Sequence, residues 1–181
     1  MAIDIHPVRP EEFEAAGTAT AEAFREHSGA ELEACPERAE WEWIKSYLVL
    51  VADIADRAQR AAVLVAVEGD EALGTVTVEL DDRVNRAHGD LAEGEAHIRM
   101  LGVAPAARGR RVGKDLMLAA IELARSRQRT HVTLGTIESM KVAQHLYESL
   151  GFVRTAEEMT ERGKYFTYRL NLSDPAKSSP P

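Results

Sequence analysis

One segment, residues 95–114, constrains the fold of this chain more than any other part of the sequence. Its sequence is EAHIRMLGVAPAARGRRVGK, an apolar stretch followed by a turn and then by a basic stretch with glycines. This order predicts a strand over residues 96–103 and a turn over residues 104–107. The basic loop at residues 108–114 then opens into a helix, so the segment forms an α/β unit with the loop at the positive end of a helix dipole.

The loop predicts a binding site for a phosphate or pyrophosphate group. Backbone N–H groups at a helix N-terminus bind anions, and glycines let a ligand approach the main chain closely. Positive charge is concentrated here, although the whole chain has a formal net charge of −8. The residues expected to bind the anion are Arg108, Gly109, Arg110, Arg111, Val112, Gly113 and Lys114.

Two common phosphate-binding loops do not match the spacing. A Walker loop requires Ser or Thr directly after its lysine, whereas Lys114 is followed by Asp115, which has no hydroxyl to hold a magnesium ion. The dinucleotide-binding pattern GxGxxG does not occur in the sequence. The sequence therefore favours a nucleotide-binding protein less than other kinds of phosphate-binding protein.

A second block lies at residues 140–152 and has the sequence MKVAQHLYESLGF. Ala143, Leu146, Tyr147 and Leu150 recur at helical spacing and form one apolar stripe, which predicts an amphipathic helix. Gly151 follows at the position where a glycine commonly ends a helix.

The two blocks together resemble motifs A and B of the GCN5-related N-acetyltransferases, the GNAT superfamily. Residues 108–113 are similar to the motif-A loop Gln/Arg-x-x-Gly-x-Gly/Ala, with Arg111 in place of the middle glycine. Residues 140–152 are similar to motif B, Asn-x-x-Ala-x-x-Leu-Tyr-x-x-x-Gly-Phe, with Met140 where Asn is usual. In element order the resemblance extends over nearly the whole chain.

The resemblance implies an α/β GNAT fold, with a V-splayed mixed sheet of six to seven strands flanked by about four helices. The residue patterns predict helices over residues 11–26, from after Pro36 to about residue 60, from the basic loop to about residue 127, and over the second block. Strands are predicted at residues 3–9, 62–67, 73–80, 96–103, 131–134, 152–155 and 165–172. We expect a single domain over residues 1–172 and a disordered tail at residues 173–181.

The resemblance also implies that acetyl-coenzyme A is the cofactor and that it binds in the opening of the sheet. Main-chain groups of Leu101, Gly102 and Val103 would pair with its pantetheine arm, since a splayed sheet leaves such groups unpaired. The loop at residues 108–114 would hold its pyrophosphate. An ordinary buried strand and a solvated basic turn are the alternative interpretations, and no metal site is predicted.

In this family the motif-B tyrosine commonly lies near the thioester sulfur, so the resemblance implies that Tyr147 is the general acid. A phenol, with a pKa of ~10, can protonate a leaving thiolate whose conjugate acid has a pKa of ~8.5. The alternative is an aromatic side chain on a helix face that only fills the core.

The general base is a separate question, because an acceptor ammonium must lose a proton before it can attack the thioester. His97 aligns with a position where protein-acetylating relatives often carry a glutamate, and histidine suits proton transfer near neutral pH. Strand alternation places it on the same face as Arg99 and Leu101. Glu79, Glu95 and a chain of water molecules are alternatives, as is a surface histidine without a catalytic role.

We therefore predict an N-acetyltransferase that moves the acetyl group of acetyl-coenzyme A to a primary amine of a small molecule or protein by direct attack. Cys35, the only cysteine, lies outside both motifs, so no covalent intermediate is expected. A catalytically silent module that binds acyl-coenzyme A is the alternative. Acidic residues in a predicted loop at residues 81–94 slightly favour a cationic acceptor, although a solvated loop explains them equally well.

Composition limits the partners and the location. The acidic balance argues against non-specific nucleic-acid binding. No apolar run approaches the ~18 residues of a membrane span, and the first residues do not resemble a secretory signal. A single cysteine excludes an internal disulfide and is typical of a cytoplasmic protein. Trp41 and Trp43 could line an acceptor pocket or a homodimer contact, although one core and one half-exposed aromatic side chain is the favoured interpretation.

Overall fold

The computed structural model describes residues 2–34, 38–80, 91–160 and 163–172, with the backbone alone described for residues 26–34 and 38–41. Its helices are α1 Phe13–Ala34, α2 Arg38–Ala52, α3 Ile54–Arg60, α4 Val112–Ser126 and α5 Lys141–Ser149. Its strands are β1 Asp4–Pro7, β2 Ala62–Glu68, β3 Glu71–Glu79, β4 Glu95–Val103, β5 His131–Ile137, β6 Val153–Thr160 and β7 Gly163–Asn171. None of the helices in the described residues is both long enough and apolar enough to cross a membrane.

The strands form one sheet of seven, in the order β1-β2-β3-β4-β5-β7-β6. β1 pairs antiparallel with β2, β4 runs parallel to β5, and β7 pairs antiparallel with both β5 and β6. The ladder between β4 and β5 joins residues 95–98 to residues 131–134, although each strand continues beyond it. The predicted mixed α/β sheet of six to seven strands is therefore confirmed.

The helices before β2 differ from the prediction. The single helix expected up to about residue 60 is wrong, because Asp53 separates α2 from α3 and the described helices number five instead of about four. The Asp53 carboxylate accepts a hydrogen bond from the backbone N–H of Asp56 at 2.9 Å, which makes it the N-cap of α3. Helix α1 also continues past residue 26 to Ala34. Gly29 lies within it, and an interior glycine costs only about 1 kcal/mol, which does not end a helix.

Several predictions concern residues outside the described part of the chain. Residues 81–90 of the predicted acidic loop, the predicted tail at residues 173–181, Cys35 and Pro36 all lie there, and the side chain of Trp41 is not described. Trp43 lies on α2, is 42% exposed, and stacks on Tyr47 with ring centroids 4.9 Å apart.

The chain divides into two compact units, of which the first comprises Met1–Thr77 and Met100–Ala120. An apolar cluster of Ala16, Ile54, Val63 and Val65 is buried at its centre. Burial of such side chains contributes about 25 cal/mol per Å² of apolar surface, so this cluster holds α1 and α3 against β2.

Buried polar groups also connect the helices of the first unit to β3. The Thr20 hydroxyl lies 2.6 Å from the Thr75 hydroxyl. Arg57 donates from Nη1 to Thr77 Oγ1 at 2.8 Å and from Nη2 to the carbonyl oxygen of Val51 at 2.5 Å. Because a buried polar group without a partner is costly, these pairings fix where α1 and α3 lie on β3.

The second unit comprises Val78–Arg99 and Ile121–Pro181. Helix α5 ends here in a Schellman motif: Gly151 has φ +89°, its N–H donates to the carbonyl of Glu148 at 3.0 Å, and the N–H of Phe152 donates to that of Tyr147 at 3.1 Å. The predicted helix end at Gly151 is confirmed. The Tyr168 hydroxyl donates to the Glu148 carboxylate at 3.1 Å and so joins β7 to the end of α5.

Candidate functional site

The basic loop lies in the first unit, where residues 108–111 form a turn and α4 begins at Val112. The carbonyl oxygen of Arg111 accepts a hydrogen bond from the N–H of Asp115 at 3.0 Å, so Arg111 occupies the N-cap position. By helix geometry, the N–H groups of Val112, Gly113 and Lys114 have no acceptor within α4. Together with the helix dipole, these groups give the N-terminus of α4 the arrangement by which helices in general bind anions.

Arg111, at the middle glycine position of the motif-A pattern, has a left-handed backbone conformation. Its φ is +66°, close to the +74° of Gly109 in the same loop. A left-handed conformation costs a residue with a Cβ roughly 1–2 kcal/mol, so Arg111 adopts it at some cost in stability. A Cβ added at Gly109 would have no atom within 4 Å, which leaves room for a ligand beside the loop.

The left-handed backbone at Arg111 leads to a stability prediction. We expect Arg111→Gly to raise the unfolding temperature by about 2–4 °C, because relief of about 1 kcal/mol of strain has this effect in a domain of this size. Arg111→Ala is the matched control, since it removes the same side chain and retains the strain. Thermal unfolding of the two variants without ligand makes the comparison, and equal unfolding temperatures would show that the strain is absent.

The side chains of the loop are not equivalent. Arg110 Nη2 donates to the Glu68 carboxylate at 2.8 Å, so this guanidinium is directed to the end of β2 and its charge is partly balanced there. Arg108 and Arg111 are exposed. The side chain of Arg110 is therefore less suited to a pyrophosphate than the backbone N–H groups at the start of α4.

The end of β4, with Leu101, Gly102 and Val103, also belongs to the first unit. Gly102 is buried, and a Cβ there would lie 3.1–3.3 Å from the side chains of α1, namely Thr20, Ala23 and Phe24. Packing against α1 therefore favours glycine at this position. Met100, directly before these residues, has φ +52°, an unusual value that distorts the strand where cofactor contact was predicted.

Tyr147 lies in the second unit and is 7% exposed. Its ring packs against those of Phe152 and Tyr168, with centroid distances of 6.1 and 6.0 Å. Burial raises the pKa of Tyr147 to about 12, with smaller contributions from Tyr165 and Tyr168. The hydroxyl is thus a weaker proton donor than an exposed phenol. It can stabilise a thiolate by donating a hydrogen bond more readily than by giving up its proton.

His97 also lies in the second unit, on the half-buried face of β4 that alternates with buried Ala96 and Ile98. Its Nδ1 is 2.8 Å from Thr133 Oγ1 on β5, and the Thr133 hydroxyl donates to the Glu95 carboxylate. The other Glu95 oxygen accepts the N–H of Ala92 at 2.8 Å. Glu95, one of the alternative bases, is therefore held by two donors.

Glu79, the other alternative base, lies at the end of β3 in the second unit. It is 8% exposed, and Arg99 Nη1 donates to its carboxylate at 3.2 Å. The Glu79 carboxylate is thus engaged by a guanidinium of the adjacent strand. The geometry therefore favours His97 over Glu79 as a base. The described residues contain no cluster of His, Cys, Asp or Glu that could hold a metal ion.

Two polar residues of the second unit were not singled out by the sequence. Thr133 becomes relevant only through the parallel register that pairs it with His97, and register is not visible in a single strand. Gln144 is buried in α5 and donates from Nε2 to the carbonyls of Ile137 and Glu138 at 2.9 and 3.0 Å. Gln144 therefore connects α5 to the end of β5. Met140, at the N-cap of α5, makes no capping hydrogen bond with its side chain.

Comparison with known proteins yields a family match. The sequence profile described as the Acetyltransferase (GNAT) family matches residues 18–152. No curated protein matches the chain.

Solved structures with the same fold are numerous. The PaiA N-acetyltransferase from Thermoplasma acidophilum, in complex with coenzyme A, has 17% identity and a TM-score of 0.70, covering 94% of this chain and 99% of its own. The yncA protein of Salmonella typhimurium, with its cofactor acetyl-CoA, has 19% identity and a TM-score of 0.65, covering 99% of each chain. A ribosomal-protein-alanine N-acetyltransferase from Brucella melitensis has 15% identity and a TM-score of 0.63, covering 93% and 99%.

Proposed function

The chain belongs to the GNAT family of acetyltransferases, and we propose that it transfers the acetyl group of acetyl-coenzyme A to a primary amine of a small molecule or a protein. The observation that carries this proposal is the helix N-terminus at residues 112–114, which follows a basic loop with left-handed backbone at Gly109 and Arg111. Enzymes of this family use acetyl-coenzyme A, and a pyrophosphate is the anion that such a loop suits.

The residues that would hold the cofactor belong to the loop and to the end of β4. The N–H groups of residues 112–114 and the Arg108 side chain would bind the pyrophosphate, and main-chain groups of residues 101–103 would pair with the pantetheine arm. When bound, acetyl-coenzyme A supplies an acetyl group that its thioester activates. The Thr136 hydroxyl is buried and has no hydrogen-bond partner among the described residues, so it is available to form a hydrogen bond with a ligand.

The residues that would move protons are His97 and Tyr147. His97 removes a proton from the acceptor ammonium, which leaves a neutral amine able to attack the thioester carbonyl. Tyr147 would donate a hydrogen bond to the thioester sulfur and so would stabilise negative charge on that atom. Because direct attack requires no enzyme-bound acetyl group, positioning of the two reactants supplies much of the rate.

A screen of amines tests this function. We expect the wild-type protein to release free thiol from acetyl-coenzyme A in the presence of at least one class of amine, with an acetylated product detected by mass spectrometry. The library should include polyamines, aminoglycosides, and peptides with a free N-terminus or a lysine, because one structural neighbour is named for a protein acceptor. Binding of coenzyme A without acetylation of any amine would identify a silent binding module instead.

A further inference from the structure

In the second unit, a connected set of hydrogen bonds between β4 and β5 ends at His97. In the parallel ladder His97 lies beside Thr133, and Glu95 precedes His97 by two residues on the same face of β4. The Thr133 hydroxyl donates to Glu95, and Thr133 Oγ1 is 2.8 Å from His97 Nδ1. The N–H of Ala92 donates to Glu95 Oε2 at 2.8 Å and fixes the carboxylate.

The hydrogen-bonding capacity of each group sets the direction of this chain. An ionised carboxylate only accepts hydrogen bonds, so Thr133 donates its single hydroxyl proton to Glu95. The oxygen that Thr133 presents to His97 is then an acceptor, and Nδ1 must be the donor. In a neutral imidazole with hydrogen on Nδ1, the lone pair lies on Nε2.

We propose that Thr133 and Glu95 are positioning residues, which hold the hydrogen of His97 on Nδ1 and thereby prepare Nε2 as the base for acetyl transfer. This inference rests on the proposed function. As the acceptor loses its proton, a nitrogen–hydrogen bond of the ammonium breaks, a bond between Nε2 and hydrogen forms, and the positive charge moves to the imidazole ring. Nδ1 still donates to Thr133 in the charged ring, and the negative charge of Glu95 stabilises it through the threonine hydroxyl.

Other titratable and charged groups lie on β4 and on the strands around it. On β4 itself Arg99 lies two residues beyond His97, and its charge is offset by Glu79 of β3 at 3.2 Å. On β7 Arg169 lies opposite Thr133, and Tyr165 contributes a neutral phenol whose pKa burial raises. On β5 burial and then Arg169 lower the pKa of His131, whereas Glu95 raises it. Glu95 is thus an anion connected to His97 by hydrogen bonds through Thr133.

Nitrogen-15 NMR of the histidine rings tests the proposed tautomer without any need for turnover. In wild-type protein above the titration of the ring, we expect the hydrogen of His97 on Nδ1, with signals assigned through their loss in His97→Ala. Thr133→Val, which replaces the hydroxyl by a methyl group, should shift the ring towards hydrogen on Nε2, and Thr133→Ser should restore the wild-type form. Hydrogen on Nε2 in the wild type, or the same tautomer in Thr133→Val, would overturn the proposal.

Kinetics with an acceptor from the amine screen supply the second readout. General bases contribute ~10²–10⁴-fold, so we expect His97→Ala to lower kcat/KM by about 100-fold and to remove the rise of activity near the usual histidine midpoint of about pH 6.5. Thr133→Val should lower kcat/KM by about 10-fold, a part of that contribution, and Thr133→Ser should recover most of it. In Glu95→Gln the hydrogen of His97 should stay on Nδ1. The rise of activity should move to lower pH, because the negative charge of Glu95 no longer stabilises the charged ring.

The matched control is Thr167→Val, the same change on β7 opposite Gly135, which should leave both the tautomer and the pH profile as in wild type. An unchanged pH profile in His97→Ala, with acetylation continuing, would remove His97 as the base and overturn the inference while the acetyltransferase function remained. Failure of every amine to react would contradict the proposed function instead, and the NMR result would be independent of it.

Discussion

Replacement of Arg108 by Glu together with Gly113 by Asp is expected to abolish the thermal stabilisation that coenzyme A gives to the wild-type protein. A carboxylate at position 108 repels the pyrophosphate where a guanidinium attracted it. A carboxylate at Gly113 adds a second negative charge and a side chain in the first turn of α4, next to the N–H groups that would bind the anion. Position 108 is exposed, and thermal unfolding of the double variant without ligand shows whether the fold tolerates both changes.

The size of the effect follows from ligand linkage. A ligand at 100 times its Kd adds about 2.7 kcal/mol to the free energy of unfolding. In a domain of this size each kcal/mol corresponds to roughly 2–4 °C, so the wild-type shift should be on the order of 5–10 °C. Thermal unfolding with and without coenzyme A gives both values, and the double variant should show a shift close to zero.

Arg110→Ala is the matched control for this experiment. It also removes a positive charge from the loop, but the Arg110 side chain is paired with Glu68, so coenzyme A should still stabilise this variant by most of the wild-type amount. If the double variant showed the same shift as wild type, coenzyme A would bind elsewhere and the assignment of the loop would be refuted. A lost shift in Arg110→Ala would instead assign that side chain to the ligand.

The sequence was sufficient wherever the structure depends on local signals. The strand, loop and helix at residues 95–114 follow from an apolar run, a turn and a helix start that are adjacent in the chain. The end of α5 follows from Gly151 in the same way. The break between α2 and α3 was missed because Asp53 lies in a helical pattern without Gly or Pro, and an aspartate caps a helix only if the preceding helix has already ended.

The parts of the candidate site that were missed depend on contacts between distant segments. Thr133 differs from any other strand threonine only because the β4–β5 register places it beside His97. The positive φ of Met100 is likewise not encoded by its residue type, since methionine has no preference for that conformation. Pattern and motif therefore lead to candidate site residues, which remain predictions, whereas the order of hydrogen bonds around His97 required the sheet.

The role of Tyr147 as a hydrogen-bond donor predicts a large loss of turnover in Tyr147→Phe. Phenylalanine retains the ring that packs on Phe152 and Tyr168 and removes only the hydroxyl. Acid–base groups contribute ~10²–10⁴-fold, and a hydrogen bond without full proton transfer contributes less, so we expect kcat to fall by about 10- to 1000-fold. The stabilisation by coenzyme A should change little, because the pyrophosphate and pantetheine contacts remain.

The pH profile distinguishes this role from that of a titrating acid. Because burial raises the pKa of Tyr147 to about 12, the hydroxyl stays protonated at any pH well below that value. Its removal should therefore lower the rate by the same factor across the neutral range and leave the rise attributed to His97 in place. Tyr168→Phe is the matched control: it removes another buried hydroxyl, which donates to Glu148, and should reduce stability while turnover stays within a few-fold of wild type. Wild-type turnover in Tyr147→Phe would leave Tyr147 as a packing residue, because the ring alone would then account for its place in α5.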